Sequence, residues 1–220
     1  MLAHLSQDPG LIEAFESDQD IHRAVAAEVF GVELDDVTDE QRSAAKMVNF
    51  GIVYGITPYG LARRLQPGAG KDEIKQAEQI IDDYKRRYPR IDKFLERCVE
   101  TAKTKGYVET IMKRRRPIPE INDRGNRYAL GQRMAINTVV QGSAADLIKV
   151  AMVKLYQRIH DDDLPLKMLL QIHDELVFEC PAEKVEAMTQ LVKEEMESAM
   201  DLSVPIKADA HHGANWFEAK

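Results

Sequence analysis

Arg42, Lys46, Phe50 and Tyr54 recur every four residues. On a helix each such step turns only about 40° around the axis, so the four side chains form one drifting stripe roughly 18 Å long. Two cations occupy its N-terminal half, near the positive end of the helix dipole, where phosphate oxygens are well held. Two rings occupy its C-terminal half and suit a sugar and a base. That order fits a nucleoside triphosphate lying along the helix, although an ordinary amphipathic helix with snorkelling cations and partly buried rings has the same spacing. Gly51 and Gly55 fall in the same stretch. Each costs about 1 kcal/mol inside a helix relative to alanine, which asks for a closely approaching ligand or a helix end.

Three further groups could do chemistry. Leu169-Leu-Gln-Ile172 and Leu176-Val-Phe178 read as short strands, and His173-Asp174-Glu175 between them forces two carboxylates together at a tight turn. Such a turn is commonly just solvated. The flanking runs would bury the hairpin in a sheet, and a carboxylate pair at its buried edge calls for a hard cation such as Mg²⁺, which prefers oxygen ligands. Arg133, Asn137 and Gln141 make a polar stripe at i, i+4 and i+8. Asn and Gln can donate to the minor-groove acceptors that every Watson–Crick pair presents, so this stripe could test pairing without reading sequence. Lys113-Arg114-Arg115-Arg116, just upstream, could touch a phosphate backbone or form a solvated basic turn.

The elements that must position these groups are mostly helices. Asp8-Pro9 opens a short helix through Phe15, and Asp20 caps a second that runs through Phe30 and ends at Gly31. Thr38-Asp39-Glu40 starts the third and longer helix, which bears the cationic stripe. Glu73 to Tyr88 and Ile91 to Lys105 are amphipathic helices stopped by Pro89 and Gly106. Tyr107 to Ile121 reads as a short hairpin or loop with a basic tip, Arg127 to His160 as a long helix, Leu169 to Cys180 as a hairpin and Glu183 to Met200 as a last helix. Helices around a small antiparallel sheet place the chain in the α+β class.

The composition agrees with a nucleic-acid partner once it is divided along the chain. The 220 residues carry a net charge of −7, but Gln41 to Arg133 holds 21 Lys and Arg against 11 Asp and Glu, and the remainder 9 against 26. A basic middle between acidic flanks can hold a polyanion while the whole stays soluble. Cys98 and Cys180 are the two cysteines, in no metal-type spacing, so free thiols in a reducing compartment are expected and a disulfide scaffold is not. No window reaches the apolar length of a membrane span, so no membrane partner and a cytoplasmic location are expected.

Arg42-Ser-Ala-Ala-Lys46-Met-Val-Asn-Phe50-Gly51-Ile-Val-Tyr54-Gly55 resembles the fingers-helix motif of family A DNA polymerases. Gln171-Ile-His173-Asp174-Glu175-Leu-Val is similar to the family's palm motif, and Arg133 through Asp146 to its helix that contacts primer-template DNA. The likeness runs from Ala3-His4-Leu5-Ser6 to His212-Gly213-Ala-Asn-Trp216. It implies a helical fingers subdomain, residues 20–123, inserted in a palm made of residues 1–19 and 124–220. It also implies that Arg42 and Lys46 hold the incoming deoxynucleoside triphosphate and that Phe50 and Tyr54 stack near its sugar and base, with Phe50 disfavouring dideoxynucleotides. His22 would reach the phosphates, Asp174 would bind Mg²⁺ with Glu175 as its outer companion, and His173 would contact the primer end. Arg133, Asn137, Gln141 and Arg116 would bind DNA. The implied reaction is two-metal transfer of a deoxynucleotide to a primer 3′-hydroxyl, in which Arg42 and Lys46 neutralise the departing pyrophosphate.

In that family a palm strand just upstream of the Ala-His-Leu-Ser segment carries a second metal-binding aspartate. Its absence from this sequence leads to the expectation of little or no synthesis by the chain alone, with the N-terminal half of the polymerase as a partner supplied separately. The resemblance further requires that the acidic turn and the cationic end of the third helix look into one cleft. Two other readings stay open at this level: a non-catalytic nucleotide- or DNA-binding module, and part of a single-subunit RNA polymerase.

Overall fold

Local capping chemistry sets most element boundaries. The structure, a computed structural model, describes residues 1–17, 19–53 and 55–219, with the backbone only for Glu28. Helices α1 (Leu2–Ser6), α2 (Pro9–Glu16) and α3 (Ile21–Phe30) open the chain. Asp8 Oδ1 accepts from the amides of Gly10 and Leu11 at 3.1 and 3.4 Å to start α2, with Pro9 in the first turn, where its missing N–H costs nothing. Asp20 Oδ1 accepts from His22 and Arg23 amides, both at 3.0 Å, to start α3. Gly31, at φ 64°, ends it.

Helix α4 (Asp39–Val53) follows, then α5 (Pro58–Leu65), α6 (Lys71–Arg87) and α7 (Pro89–Lys105). The end of α4 accounts for its two glycines. Ile56 N–H donates to Gly51 O at 2.8 Å and Gly55 N–H to Ile52 O at 3.0 Å, the paired bonds of a Schellman cap, with Gly55 at φ 75°. A Cβ on Gly51 would lie 3.2 Å from two carbons of Ile56. Ile56, at the helix end, is therefore a close neighbour of Gly51.

Strands β1 (Tyr107–Glu109) and β2 (Arg115–Pro117) pair antiparallel, Val108 opposite Arg116. They lead into the long helix α8 (Asn126–Asp161), strands β3 (Lys167–Ile172) and β4 (Glu175–Glu179), and α9 (Val185–Glu197). Helices with two small two-stranded antiparallel sheets bear out the α+β expectation. No helix among the described residues is long and apolar enough to cross a membrane. Cys98 and Cys180 are free, and burial pushes the Cys98 thiol up to about 11.

The chain forms two compact units, residues Met1–Val140 and Gln141–Lys220. In the first, the apolar faces of α7 (Phe94, Ala102) and α8 (Ala135, Val140) enclose Val108 and Ile118. Asp8, 1% exposed, ties this unit across 82 residues: its Oδ2 accepts from the Arg90 amide at 2.9 Å at the start of α7. Gly131 of α8 packs directly on the Pro119–Asn122 turn, where a Cβ would fall 2.7 Å from Ile121 N and 2.8 Å from Glu120 C. Backbone cannot swing aside as a side-chain tip can. Gly131→Ala is expected to destabilise the unit by about 1–3 kcal/mol, read as a lower urea midpoint with an unchanged slope. An unmoved midpoint would refute this packing.

In the second unit, the C-terminal part of α8 is joined to α9 by Arg158 Nη1 to Glu195 Oε1 at 3.6 Å. Just past α9, Lys154 Nζ donates to Ser198 O at 2.9 Å. The β3–β4 hairpin corrects one expectation from the sequence. It is a sheet of two strands alone, with Leu169 and Leu170 44% and 50% exposed. A register shift between Met168 and Leu170 makes Leu169 the extra residue of a bulge. With no third strand beside it among the described residues, the apolar run is not covered, and the acidic turn is exposed instead of lying at a buried edge.

Candidate functional site

The cationic stripe sits on the open face of α4. Ala45, Val48, Asn49 and Ile52 turn inward and are buried, whereas Lys46 and Phe50 are exposed and Arg42 half-buried. Tyr54, the fourth member, lies outside the described residues. Helix α3 packs along α4 and supplies two polar links. The Arg42 guanidinium pairs through Nε with Asp20 Oδ2, so one carboxylate both caps α3 and holds the first cation of the stripe. Asn49 and His22 are joined by a 2.8 Å hydrogen bond between Nδ2 and the ring nitrogen Nδ1.

The electrostatics follow from these contacts. Partial burial works to raise the Asp20 carboxyl, but hydrogen bonds from Arg42 and from the α3 amides, with the Arg42 charge, carry it below its ordinary range. Burial lowers His22 first, and the positive charges of Arg42 and Lys46 lower it further against the opposing pull of Asp20. The ring is therefore neutral at pH 7 and stands 6.0 Å from the Phe50 ring, tilted 40°. Lys46 has no carboxylate partner among the described residues. A cavity of about 430 Å³, walled by Leu11, Phe15 and Tyr84 among others, opens beside His22, Asn49 and Phe50.

The remaining expected residues fall in three places. On α8, Arg133 and Gln141 are exposed and Asn137 is half-buried, while Ala135, Ile136 and Val140 face the core. Asn137 Oδ1 is buried without a hydrogen-bond partner among the described residues. The basic hairpin leans on the same helix: Arg116 Nη1 donates to Thr138 Oγ1 at 3.1 Å, and Thr138 Oγ1 donates to Met134 O at 2.7 Å. Arg115 is held by Glu109 at 2.9 Å and lies over the Tyr107 ring at 4.7 Å. Lys113, at φ 63°, turns the strand back.

In the second unit, His173 and Asp174 form the two-residue turn between paired Ile172 and Glu175. His173 has φ 54°, the left-handed conformation that two-residue hairpin turns favour at their first position and that histidine adopts more readily than most residues, and Gln171 Nε2 donates to its carbonyl at 3.0 Å. Asp174 and Glu175 are both exposed, and the described residues hold no cluster of three or more metal-ligating side chains. Two adjacent carboxylates still fit Mg²⁺, which takes one or two carboxylates together with substrate phosphates.

Arg42, Lys46, Phe50, His22, Arg133, Asn137 and Arg116 thus lie in the first unit, and Gln141, His173, Asp174 and Glu175 in the second. Sequence reasoning missed Asn49 and Thr138, and took Asp20 for a cap alone. Asn49 did leave a signal, an amide on the apolar side of an amphipathic helix.

Residues 1–218 match the model of a family described as DNA polymerase family A. DNA polymerase I of Bacillus caldotenax is 46% identical over 221 residues, covering 100% of this chain and 25% of that protein. DNA polymerase I of Streptococcus pneumoniae serotype 4 is 47% identical over 222 residues, again covering 100% of this chain and 25% of that protein. The chain spans about a quarter of the length of these relatives. A solved structure, the POL domain of Pol1 from M. smegmatis in complex with DNA primer-template and dNTP, superposes with a TM-score of 0.91 at 38% identity over 99% of this chain and 38% of that one.

Proposed function

This chain belongs to DNA polymerase family A, and we propose that within a complete polymerase it supplies the nucleotide-binding fingers, residues 20–123, and the palm segments 1–19 and 124–220 that bear the acidic turn. The observation that carries this is the α3–α4 pair: two cations and an aromatic ring share one outward face, with a neutral histidine beside the ring. The likeness to a polymerase domain that binds primer-template DNA and dNTP supports the same partners for this chain.

In the proposed reaction the primer 3′-oxygen attacks the α-phosphate of a deoxynucleoside triphosphate in line, and pyrophosphate leaves. Arg42 and Lys46 hold the triphosphate and neutralise the charge that builds on the leaving group. His22 donates to a phosphate oxygen, and Phe50 and Tyr54 stack on sugar and base. Arg133, Asn137 and Gln141 hold the minor groove of the nascent pair, Arg116 its backbone, and His173 the primer end. Asp174, with Glu175 beside it, would hold Mg²⁺, whose role when bound is to activate the 3′-hydroxyl and stabilise the phosphoryl charge. A second carboxylate from another part of the polymerase would complete a two-metal site, and without it the chain alone would extend no primer.

The test is primer extension with dNTP and Mg²⁺ by this chain alone and by this chain combined with the upstream half of a family A polymerase. Template-directed product is expected only from the combination. Product from neither would overturn the reading, and product from the chain alone would remove the need for a second part.

A further inference from the structure

The contact between Asn49 and His22 fixes more than packing. Asn49 is 6% exposed, and its Nδ2 meets His22 Nδ1 at 2.8 Å across 27 residues of sequence. An amide nitrogen has no lone pair to offer, so the ring nitrogen facing it must be the acceptor. A neutral imidazole that accepts at Nδ1 carries its proton at Nε2. At the amide's other end Asn49 Oδ1 is buried and has no partner among the described residues. Rotating the amide would place Oδ1 on the ring and require the proton at Nδ1, so the tautomer follows from the amide orientation seen here. The half-buried ring is also braced by Phe50 at 6.0 Å.

We infer that Asn49 is a positioning residue that sets the tautomer of His22, so that the neutral ring offers an Nε2–H donor to a phosphate oxygen of the bound nucleotide. The inference rests on the proposed role of the α3–α4 face in triphosphate binding. It explains why a histidine near two cations can serve an anion without being charged. The charged groups acting on the ring are Asp20 at the start of α3 and Arg42 and Lys46 on α4. A positive imidazolium would add an Nδ1–H that faces the Asn49 donor, so the Nε2–H form holds through neutral and mildly alkaline pH. The hydrogen bond to the anion therefore does not titrate in that range.

Asn49→Asp reverses this logic. Its carboxylate would accept from Nδ1–H and favour the charged ring. As pH rises through the higher pKa, the proton lost is the one at Nε2, leaving a bare acceptor toward the phosphate. The experiment is a long-range ¹H–¹⁵N spectrum of the chain labelled at its histidines, with titrations of inorganic tripolyphosphate from neutral to mildly alkaline pH. Expected are protonated Nε2 and bare Nδ1 at His22 and, in the unsubstituted chain, a pH profile that follows only the ionisation of the tripolyphosphate. In Asn49→Asp, affinity is expected to fall about tenfold relative to the unsubstituted chain as pH rises, the size of one hydrogen bond to a charged group. A proton on Nδ1 in the unsubstituted chain, or parallel pH profiles for the two proteins, would overturn the inference alone, provided Lys46→Ala still weakens tripolyphosphate binding. If neither Lys46→Ala nor His22→Ala changes that binding, the α3–α4 reading itself fails and takes the inference with it.

Discussion

Replacing Asp174 by alanine is expected to slow primer extension by the assembled polymerase by about three powers of ten or more, while nucleotide affinity changes far less. The size follows from the role. A metal ion that stabilises phosphoryl charge contributes several kcal/mol in the transition state, and each 1.36 kcal/mol is a factor of ten. The side chain is exposed at the second position of a two-residue turn, so the substitution removes two oxygen ligands without opening a cavity. Far-ultraviolet circular dichroism and the urea midpoint should therefore stay as they are. Glu175→Gln keeps the size and one acceptor, and its loss should be smaller. Single-turnover extension at saturating dNTP checks both, and an Asp174→Ala enzyme with ordinary rate would remove the metal from this turn.

Lys46→Ala is expected to lower kcat/KM for dNTP incorporation by about a hundredfold to a thousandfold, the usual cost of deleting one donor aimed at transition-state charge. Lys46 is chosen over Arg42 because Arg42 already shares its charge with Asp20, whereas Lys46 has no carboxylate partner among the described residues. The loss should appear in both kcat and KM, since in the proposed reaction the same ammonium meets the triphosphate before reaction and the pyrophosphate after it. Lys46→Arg should restore part of it, because the charge returns but the fork geometry differs. A Lys46→Ala enzyme within twofold of the parent would show that this face does not hold phosphate.

The sequence made local structure readable and long-range links unreadable, for a physical reason. Asp8, Asp20, Pro9, Gly31 and Gly106 act within one turn of chain, so the helix ends they set could be placed from spacing. Helix α5 has a start at Thr57-Pro58 like that of α2 at Asp8-Pro9, and that signal went unread. Asp20 and Arg42 lie 22 residues apart, and His22 and Asn49 27. No periodicity encodes such pairs, which appear only once α3 packs along α4. The hairpin fails differently: an apolar strand says that cover is favourable, not that this chain provides it, and Leu169 and Leu170 stand exposed. For the candidate site, the stripe Arg42, Lys46, Phe50 could be read because one helix carries it, and the structure sets its first and last described members beside Asp20 and His22. The partners of Asp174 could not be read from a turn of two carboxylates.

The central claim is that the outward face of α4 receives the nucleotide. It is tested most directly by photolabelling the polymerase that contains this chain, bound to primer-template, with a dNTP carrying a photoreactive group on its terminal phosphate, followed by peptide mapping. The label is expected within residues 39–53, competed by the unmodified correct dNTP and lost in Lys46→Ala. Label that maps outside α4 and α3, with the same competition, would contradict the account.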